Sequence, residues 1–347
     1  MTDIVFAKAP LRMALAGGGT DLEPYWSKYG GVVLNATIDQ YAYCKIEPCV
    51  CNHEKCWSFK SVDLGIEERH DFYSTPFMQG EYVDSDLQLL VNAYQYLTAK
   101  TDRHPVKITT YVEAPPGSGL GSSSALVVAL IAAIAEYHKI PLGEYDIAEY
   151  AVEIERNICD MPGGKQDQFA AAFGGFNFTE FLTDGRTIVN PLRLNYKTQN
   201  MMELSTVLYY VGKPRSNSRV IENTAKGLVD SEVVLNATHK IKEACIEYKR
   251  SLLTGDMKRI SELMETYWRS KLETNPHVAS PEILDSYEYA LQNGATGAKI
   301  SGAGGGGHMV LFTEFERRHE LITALKEKEG RVVPFKFVKH GVDVWRQ

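Results

Sequence analysis

One stretch constrains this chain more than any other: residues 115–137, PPGSGLGSSSALVVALIAAIAEY. Its first half cannot form a regular helix or strand. Pro115 and Pro116 lack backbone donors, and Gly117, Gly119 and Gly121 admit conformations closed to other residues. Its second half predicts a buried helix, because residues 125–135 are all apolar. Ser122, Ser123 and Ser124 stand at the join, where an N-cap hydroxyl belongs. A glycine loop that opens into a helix aims unpaired N–H groups and the positive dipole end at one spot. Such a spot suits a phosphate. Two familiar phosphate loops are excluded. No lysine follows Gly121, so GxxxxGK[ST] is absent. The glycines are spaced GxGxG rather than GxGxxG, and Glu136 and Glu144 lie at poor distances for a ribose-binding acid.

The rest of the chain mixes strands and helices. Residues 4–7 read as a strand broken at Pro10, and 11–16 as its continuation with Arg12 inserted. GGGTD, residues 17–21, is a turn that brings backbone close to something. Residues 32–47 are strand-like and 49–86 irregular, with strands at an edge. A helix at 87–100 and an alternating strand at 106–113 lead into the glycine loop. Residues 145–159 carry an amphipathic helical pattern. In DMPGGKQDQFAAAFGG, a new helix begins at Gln166, with Asp167 at its start and Gly174 and Gly175 stopping it. Residues 177–194 read as a hairpin turning at Asp184 and Gly185.

The pattern changes near residue 195. A strand at 206–211 precedes the polar turn GKPRSNSR, then helices at 231–253, 257–273 and 281–293. A strand at 298–301, the loop GAGGGG at 302–307, a strand at 309–312, a helix at 314–329 and a strand at 332–338 complete the chain. This order is that of an α+β protein. A length of 347 residues predicts about two domains, divided here into 1–198 and 199–347. No low-complexity linker separates them, so they are expected to share an interface.

Charge and composition narrow the function classes. A formal charge of −7 argues against a general nucleic-acid or anionic-membrane binder. The N-terminus has no basic region before an apolar core, so no signal peptide is expected. The longest apolar run falls short of the ~20 residues of a membrane span. A cytoplasmic protein is expected. Cys49, Cys51, His53 and Cys56 lie close together, but CxCxHxxC is not a usual zinc pattern. Free thiols in a reducing compartment are the favoured reading.

Three separated segments stand out: KAPLRMALAGGGTD at 8–21, PPGSGLGSSSA at 115–125 and KISGAGGGGH at 299–308. Their order closely resembles the GHMP kinase superfamily over nearly the whole chain. Within it, the opening K-x-P-L-R-x-x-x-x-G-G-G-T-D resembles the bacterial D-glycero-D-manno-heptose 7-phosphate kinases. It is also similar to the opening of galactokinases, but Gly18 and Gly19 stand where those have a Glu-His pair.

The resemblance implies a ribosomal protein S5 domain 2-like N-terminal domain and a ferredoxin-like C-terminal domain, with the active site between them. It implies ATP and Mg²⁺ as cofactors. Pro116, Gly117, Ser118 and Gly119, with Leu120, Gly121, Ser122, Ser123 and Ser124, would hold the ATP phosphates. Ser124 and Glu155 would be the Mg²⁺ site; Glu155 lies 12 positions before Asp167, as in galactokinase-like members, and Glu153 is its rival. Asp167 would be the catalytic acid group, taking the hydroxyl proton or orienting the hydroxyl. Arg12 would lie near the nucleophile, with Lys8 close by. Such a set is what phosphoryl transfer needs: held phosphates, a metal, a group for the attacking hydroxyl and a cation.

For the acceptor, Gly18, Gly19, Thr20 and Asp21 are the expected contacts, Asp21 matching a sugar-binding aspartate. Gly304 and Gly305 are expected to approach a ligand. Lys213, Arg215 and Arg219 of the polar turn could hold a substrate phosphate, unless that turn is only solvated. The implied reaction phosphorylates the anomeric hydroxyl of D-glycero-D-manno-heptose 7-phosphate to the 1,7-bisphosphate, for nucleotide-activated heptose synthesis. Alternatives are a kinase for fucose, galactose or an N-acetylhexosamine, a superfamily decarboxylase, or a non-catalytic regulator. The implied partners are ATP and a small sugar phosphate, with no nucleic acid or membrane; homo-oligomerisation stays open.

Overall fold

The computed structural model describes residues 3–49, 56–71, 82, 84–101, 104–212 and 217–347. Its first sheet contains β1 (Val5–Ala16), β2 (Gly31–Pro48), β3 (Cys56–Ser61), β4 (Ile66–Asp71), β5 (Val106–Val112), β6 (Phe176–Phe181), β7 (Thr187–Pro191) and the last strand, β12 (Asp343–Arg346). The order is β12-β1-β2-β5-β3-β4, with β6 on the other end of β2 and β7 beyond it. Only the β3–β5 pairing is parallel among the described strands. The second sheet holds β8 (Thr206–Gly212), β9 (Ala295–Ile300), β10 (Gly307–Thr313) and β11 (Arg331–Val333) in the antiparallel order β11-β8-β10-β9. Helices separate β8 from β9 and β10 from β11, which is the split β-α-β topology of ferredoxin-like folds.

The helices are α1 (Glu23–Tyr29), α2 (Gln88–Thr98), α3 (Ser122–His138), α4 (Glu144–Val152), α5 (Gln166–Phe173) and α6 (Tyr196–Ser205), then α7 (Asn217–Asp230), α8 (Glu232–Thr254), α9 (Met257–Thr274), α10 (Pro281–Gln292) and α11 (Arg318–Leu325). Helix α3 is apolar all round and buried from Val127 to Ile134, as a helix inside a core must be. It packs on β1 and β2. Helix α8 packs on the same strands through Ile241, Cys245 and Tyr248, so both halves build one core. A second core gathers Tyr209, Trp268, Ile300 and Leu311. Strand β12 pairs with β1 from Lys8–Asp343 to Val5–Arg346, and Phe337 bridges Ile38. No single cut near residue 198 therefore separates the two sheets. No helix among the described residues is long and apolar enough to cross a membrane.

Several local expectations change. Strand β1 runs through Pro10 without a break, because a register shift between Pro10 and Arg12 absorbs the missing donor. The predicted helix at 145–159 is α4 followed by a π-helical turn, Glu153–Ile158. The predicted helix at 314–329 shortens to a 3₁₀ turn, Phe315–Arg317, and α11. The last predicted strand shrinks to β11. Helices α1, α6 and α7 and strand β12 were not expected. Cys49 and Cys56 hold their sulfurs 3.3 Å apart, whereas Cys51 and His53 lie outside the described residues.

Candidate active site

A cavity of about 660 Å³ is walled by both halves of the chain. One end is the glycine loop. Gly117, Gly119 and Gly121 all take positive φ, near 72–76°, where a side chain would be strained. The loop's carbonyls are turned into the protein. Ser118 O accepts from His308 N at 3.0 Å, Gly119 O from Ser301 Oγ at 2.8 Å, and Leu120 O from Arg12 N at 2.9 Å. The serines do not cap α3, contrary to expectation. Gly121 is the N-cap, no side chain caps the helix, and the serines form its first turn. The first-turn N–H groups of Ser122, Ser123 and Ser124 thus have no acceptor among the described residues, and their dipole end faces the cavity.

Arg12 and Asp167 meet beneath this loop. Arg12 leaves β1 just past the register shift and is only 4% exposed. Its Nε and Nη2 donate to Asp167 Oδ1 and Oδ2, both at 2.7 Å, and Nη1 donates to Gly119 O. A two-point guanidinium–carboxylate fork fixes position as well as charge. Asp167 lies in the first turn of α5, and a Cβ on Gly121 would stand 3.2 Å from its carboxylate.

Glu155 lies behind the serines, fully buried on the π-helical turn. Ser123 Oγ donates to its Oε1 at 3.0 Å, and Ser124 Oγ to its Oε2 at 2.7 Å; Gln168 Nε2 also donates to Oε2. Glu153 instead faces outward and accepts from Asn157 Nδ2. Two hydroxyls at the cavity wall with a carboxylate directly behind them are hard oxygen donors of the kind Mg²⁺ accepts, so this set fits that ion.

The other polar end gathers around Asp21. Its Oδ1 accepts from Gly19 N at 2.9 Å and its Oδ2 from Gln166 Nε2 at 3.0 Å. Gln166 Oε1 is buried with no partner among the described residues. Lys271 of α9 reaches in from the second half and donates to Gly18 O at 3.4 Å. Burial pushes its ammonium below the usual lysine range, and Asp21 offsets only part of that. Apolar side chains wall the remaining end: Leu64, Leu87, Leu89, Leu90, Val112 and Leu126.

Residues 88–175 match the GHMP kinases N terminal domain and residues 248–331 the GHMP kinases C terminal domain. The chain is 40% identical to the D-glycero-alpha-D-manno-heptose 7-phosphate kinase of Campylobacter jejuni over 98% of each sequence. The chain belongs to the GHMP kinases. The crystal structure of a D-glycero-D-manno-heptose 1-phosphate kinase from Bacteriodes thetaiotaomicron superposes with a TM-score of 0.81 at 35% identity, covering 98% of each chain. A galactokinase of Thermococcus kodakarensis is 26% identical over 94% of each sequence. Membership makes the chain an ATP-using phosphotransferase, and its α+β fold is that of the family.

Not every residue expected at the site of this GHMP kinase reaches the cavity. Lys8 points to the sheet edge, 3.9 Å from Asp343 and over the Tyr41 ring. Ser118 and Leu120 are buried within the loop and shape it from behind. Thr20 is fully buried and locks the turn, its hydroxyl donating to Gly17 O and Val32 O. Gly304 and Gly305 do not line the cavity. Gly305 N donates to Val278 O at 2.8 Å, and a Cβ on Gly304 would come within 2.6 Å of the same oxygen. Gly302 is the loop glycine at the cavity, against Gly119. Lys213 and Arg215 lie outside the described residues.

Sequence reasoning missed Gln166, Lys271 and the face of α7 that supplies Ile221 and Thr224 to the wall, beside Ser218, which belonged to the predicted polar turn. Helix α7 had a signal: Val220, Thr224 and Leu228, all buried, recur at four-residue spacing.

Proposed function

We propose that this GHMP kinase transfers the γ-phosphoryl group of ATP to the anomeric hydroxyl of D-glycero-D-manno-heptose 7-phosphate, giving the 1,7-bisphosphate. The observation that carries the reading is the Arg12–Asp167 fork set under a bare helix N-terminus. The N–H groups of residues 122–124 hold the nucleotide's phosphates, and the apolar end of the cavity takes its base. Asp167 orients the acceptor hydroxyl, with Arg12 keeping the carboxylate in one pose. The hydroxyl oxygen bonds to the γ-phosphorus as the bond to the ADP oxygen breaks; the hydroxyl proton leaves through Asp167 or to water. Arg12 adds positive charge where the transferring group carries negative charge. Ser124 and Glu155 would hold Mg²⁺, which would supply positive charge to offset that of the phosphates. Asp21 and the free Gln166 carbonyl accept from sugar hydroxyls.

The heptose assignment leans on the relative at 40% identity, whose name gives that substrate. The experiment is ATP turnover by the purified chain over a panel of sugars and sugar phosphates, with the product read by phosphorus NMR. We expect turnover with heptose 7-phosphate and a new phosphate on the anomeric oxygen. Preference for heptose 1-phosphate, the substrate in the name of the Bacteriodes kinase, would move the transfer to another oxygen. Equal rates on plain fucose or galactose would replace the acceptor and keep the kinase. No ATP turnover with any sugar would overturn the reading.

A further inference from the structure

Lysine is almost never fully buried unless it is paired. Lys271 is 6% exposed, and no carboxylate among the described residues lies within ion-pair distance of it. Its three donors meet one acceptor, Gly18 O at 3.4 Å. The other cations on the cavity wall are occupied. Arg12 is closed on Asp167. Arg156 donates to Gly164 O and Met161 O and lies 3.9 Å from Glu155. Asp21, the nearest acid acting on Lys271, already spends its oxygens on Gly19 and Gln166. The amine is kept bare by what faces it. Neither Gly18 nor Gly19 has a side chain, and a Cβ on Gly19 would stand 3.4 Å from Nζ. An ammonium held in this way is short of an anion, and the cavity is where one can arrive.

We propose that Lys271 is the anchor for the phosphate that the acceptor sugar already carries. This rests on the reading of the acceptor as a sugar phosphate. The acceptor is favoured over the nucleotide because Lys271 meets the Gly18–Gly19 turn and the field of Asp21, the residues assigned to the acceptor. Lys271 thereby acts as a specificity residue supplied by the second half of the chain, next to hydroxyl acceptors supplied by the first.

The test compares the wild type with Lys271→Met and Lys271→Arg on heptose 7-phosphate, on unphosphorylated heptose and for ATP. Lys271→Met should raise KM for the 7-phosphate about tenfold to a hundredfold, the worth of one or two charge-assisted bonds. It should leave KM for ATP near wild type and lower kcat/KM far less on plain heptose than on the 7-phosphate, and Lys271→Arg should recover part of the loss. Tm should hold or rise, since the methionine removes a buried unpaired charge at similar volume. A rise in KM for ATP would assign the amine to the nucleotide's phosphate instead. Equal losses on both sugars would make the amine structural, and either result overturns the proposal. If the wild type itself fails to distinguish the two sugars, the acceptor reading has failed, and inorganic phosphate then decides the anchor. Phosphate should stabilise the wild type against heat and not Lys271→Met; equal shifts would overturn it.

Discussion

Two loops of this chain are built almost entirely of glycine and small residues, and they do opposite things. Residues 117–121 turn their carbonyls inward and leave a helix end open to the cavity. Residues 302–307 serve mainly as the surface on which the first loop rests. A Cβ on Gly302 would meet Gly119 Cα at 3.1 Å, one on Gly307 would meet Ser118 O at 2.4 Å, and one on Gly304 would meet Val278 O at 2.6 Å. Glycine density therefore reports that backbone comes close to something, without saying whether that thing is a ligand or another loop. What separates the two is the element that follows. The first loop feeds α3, whose unpaired N–H groups need an acceptor. The second feeds β10, whose pairing with β8 and β9 satisfies its backbone.

The difference breaks most sharply at Asp167, on which the first loop closes. Asp167→Asn should cut kcat by about 10² to 10⁴, the range for an orienting or proton-accepting group, while ATP still binds. A near-normal rate would leave Arg12 and the phosphate loop as the main contributors. A paired substitution comes next in size. Gly121→Ala places a methyl near Asp167 at a positive φ, and should lower kcat/KM more than Tm. Gly304→Ala drives a methyl into a backbone carbonyl at φ +107°, at a cost of about 1–3 kcal/mol. It should lower Tm and leave kcat/KM of the surviving fold nearly unchanged. The reverse pattern would exchange the roles of the two loops.

Ser124→Ala sharpens the first loop's role further. It removes one hydroxyl from buried Glu155 and should raise KM for Mg·ATP on the order of tenfold, equivalent to about 1.4 kcal/mol. An unchanged KM with lowered Tm would make the hydroxyl a support for Glu155 alone.

The smallest effect probes the joint between the loops. His308 packs its Nδ1 2.8 Å from Ser118 O, and burial pulls its pKa down to about 4. An unfolded histidine titrates near 6.5, so the folded state refuses a proton the unfolded state takes. The stability from this group is full above about pH 6.5 and is lost as pH falls toward about 4. His308→Gln should flatten the slope of Tm against pH in that window. His138, pulled down to about 4 by its own burial, should keep part of the slope. An unchanged slope would mean His308 does not resist protonation.

Much of the first half was legible because its signals are local. The run of apolar residues fixed α3, the prolines and glycines fixed the loop, and Arg12 in the otherwise apolar stretch 11–16 marked a candidate site cation. Glu155 was preferable to Glu153 only through the resemblance. Its burial depends on the π-helical turn, in which Cys159 N reaches Ile154 O five residues back, and spacing does not announce that. Lys8 misled because it shares a strand with Arg12, but the register shift between them sends it to the β12 edge. Strand β12 itself is four residues long and forms only by pairing with β1, so it has no signal of its own. Lys271 sits in a helix with charged residues on several faces; only its burial singles it out.

The most direct measurement is amide hydrogen exchange across both glycine loops, with and without Mg·ATP. Protection should rise within residues 117–124 at Ser122, Ser123 and Ser124, whose bare N–H groups gain phosphate acceptors. Residues 304–307 should change little, because their contacts to Val278 and Ser118 are already made. Protection confined to residues 304–307, with none at 117–124, would contradict the assignment of the phosphates to the helix end and make the second loop the nucleotide site.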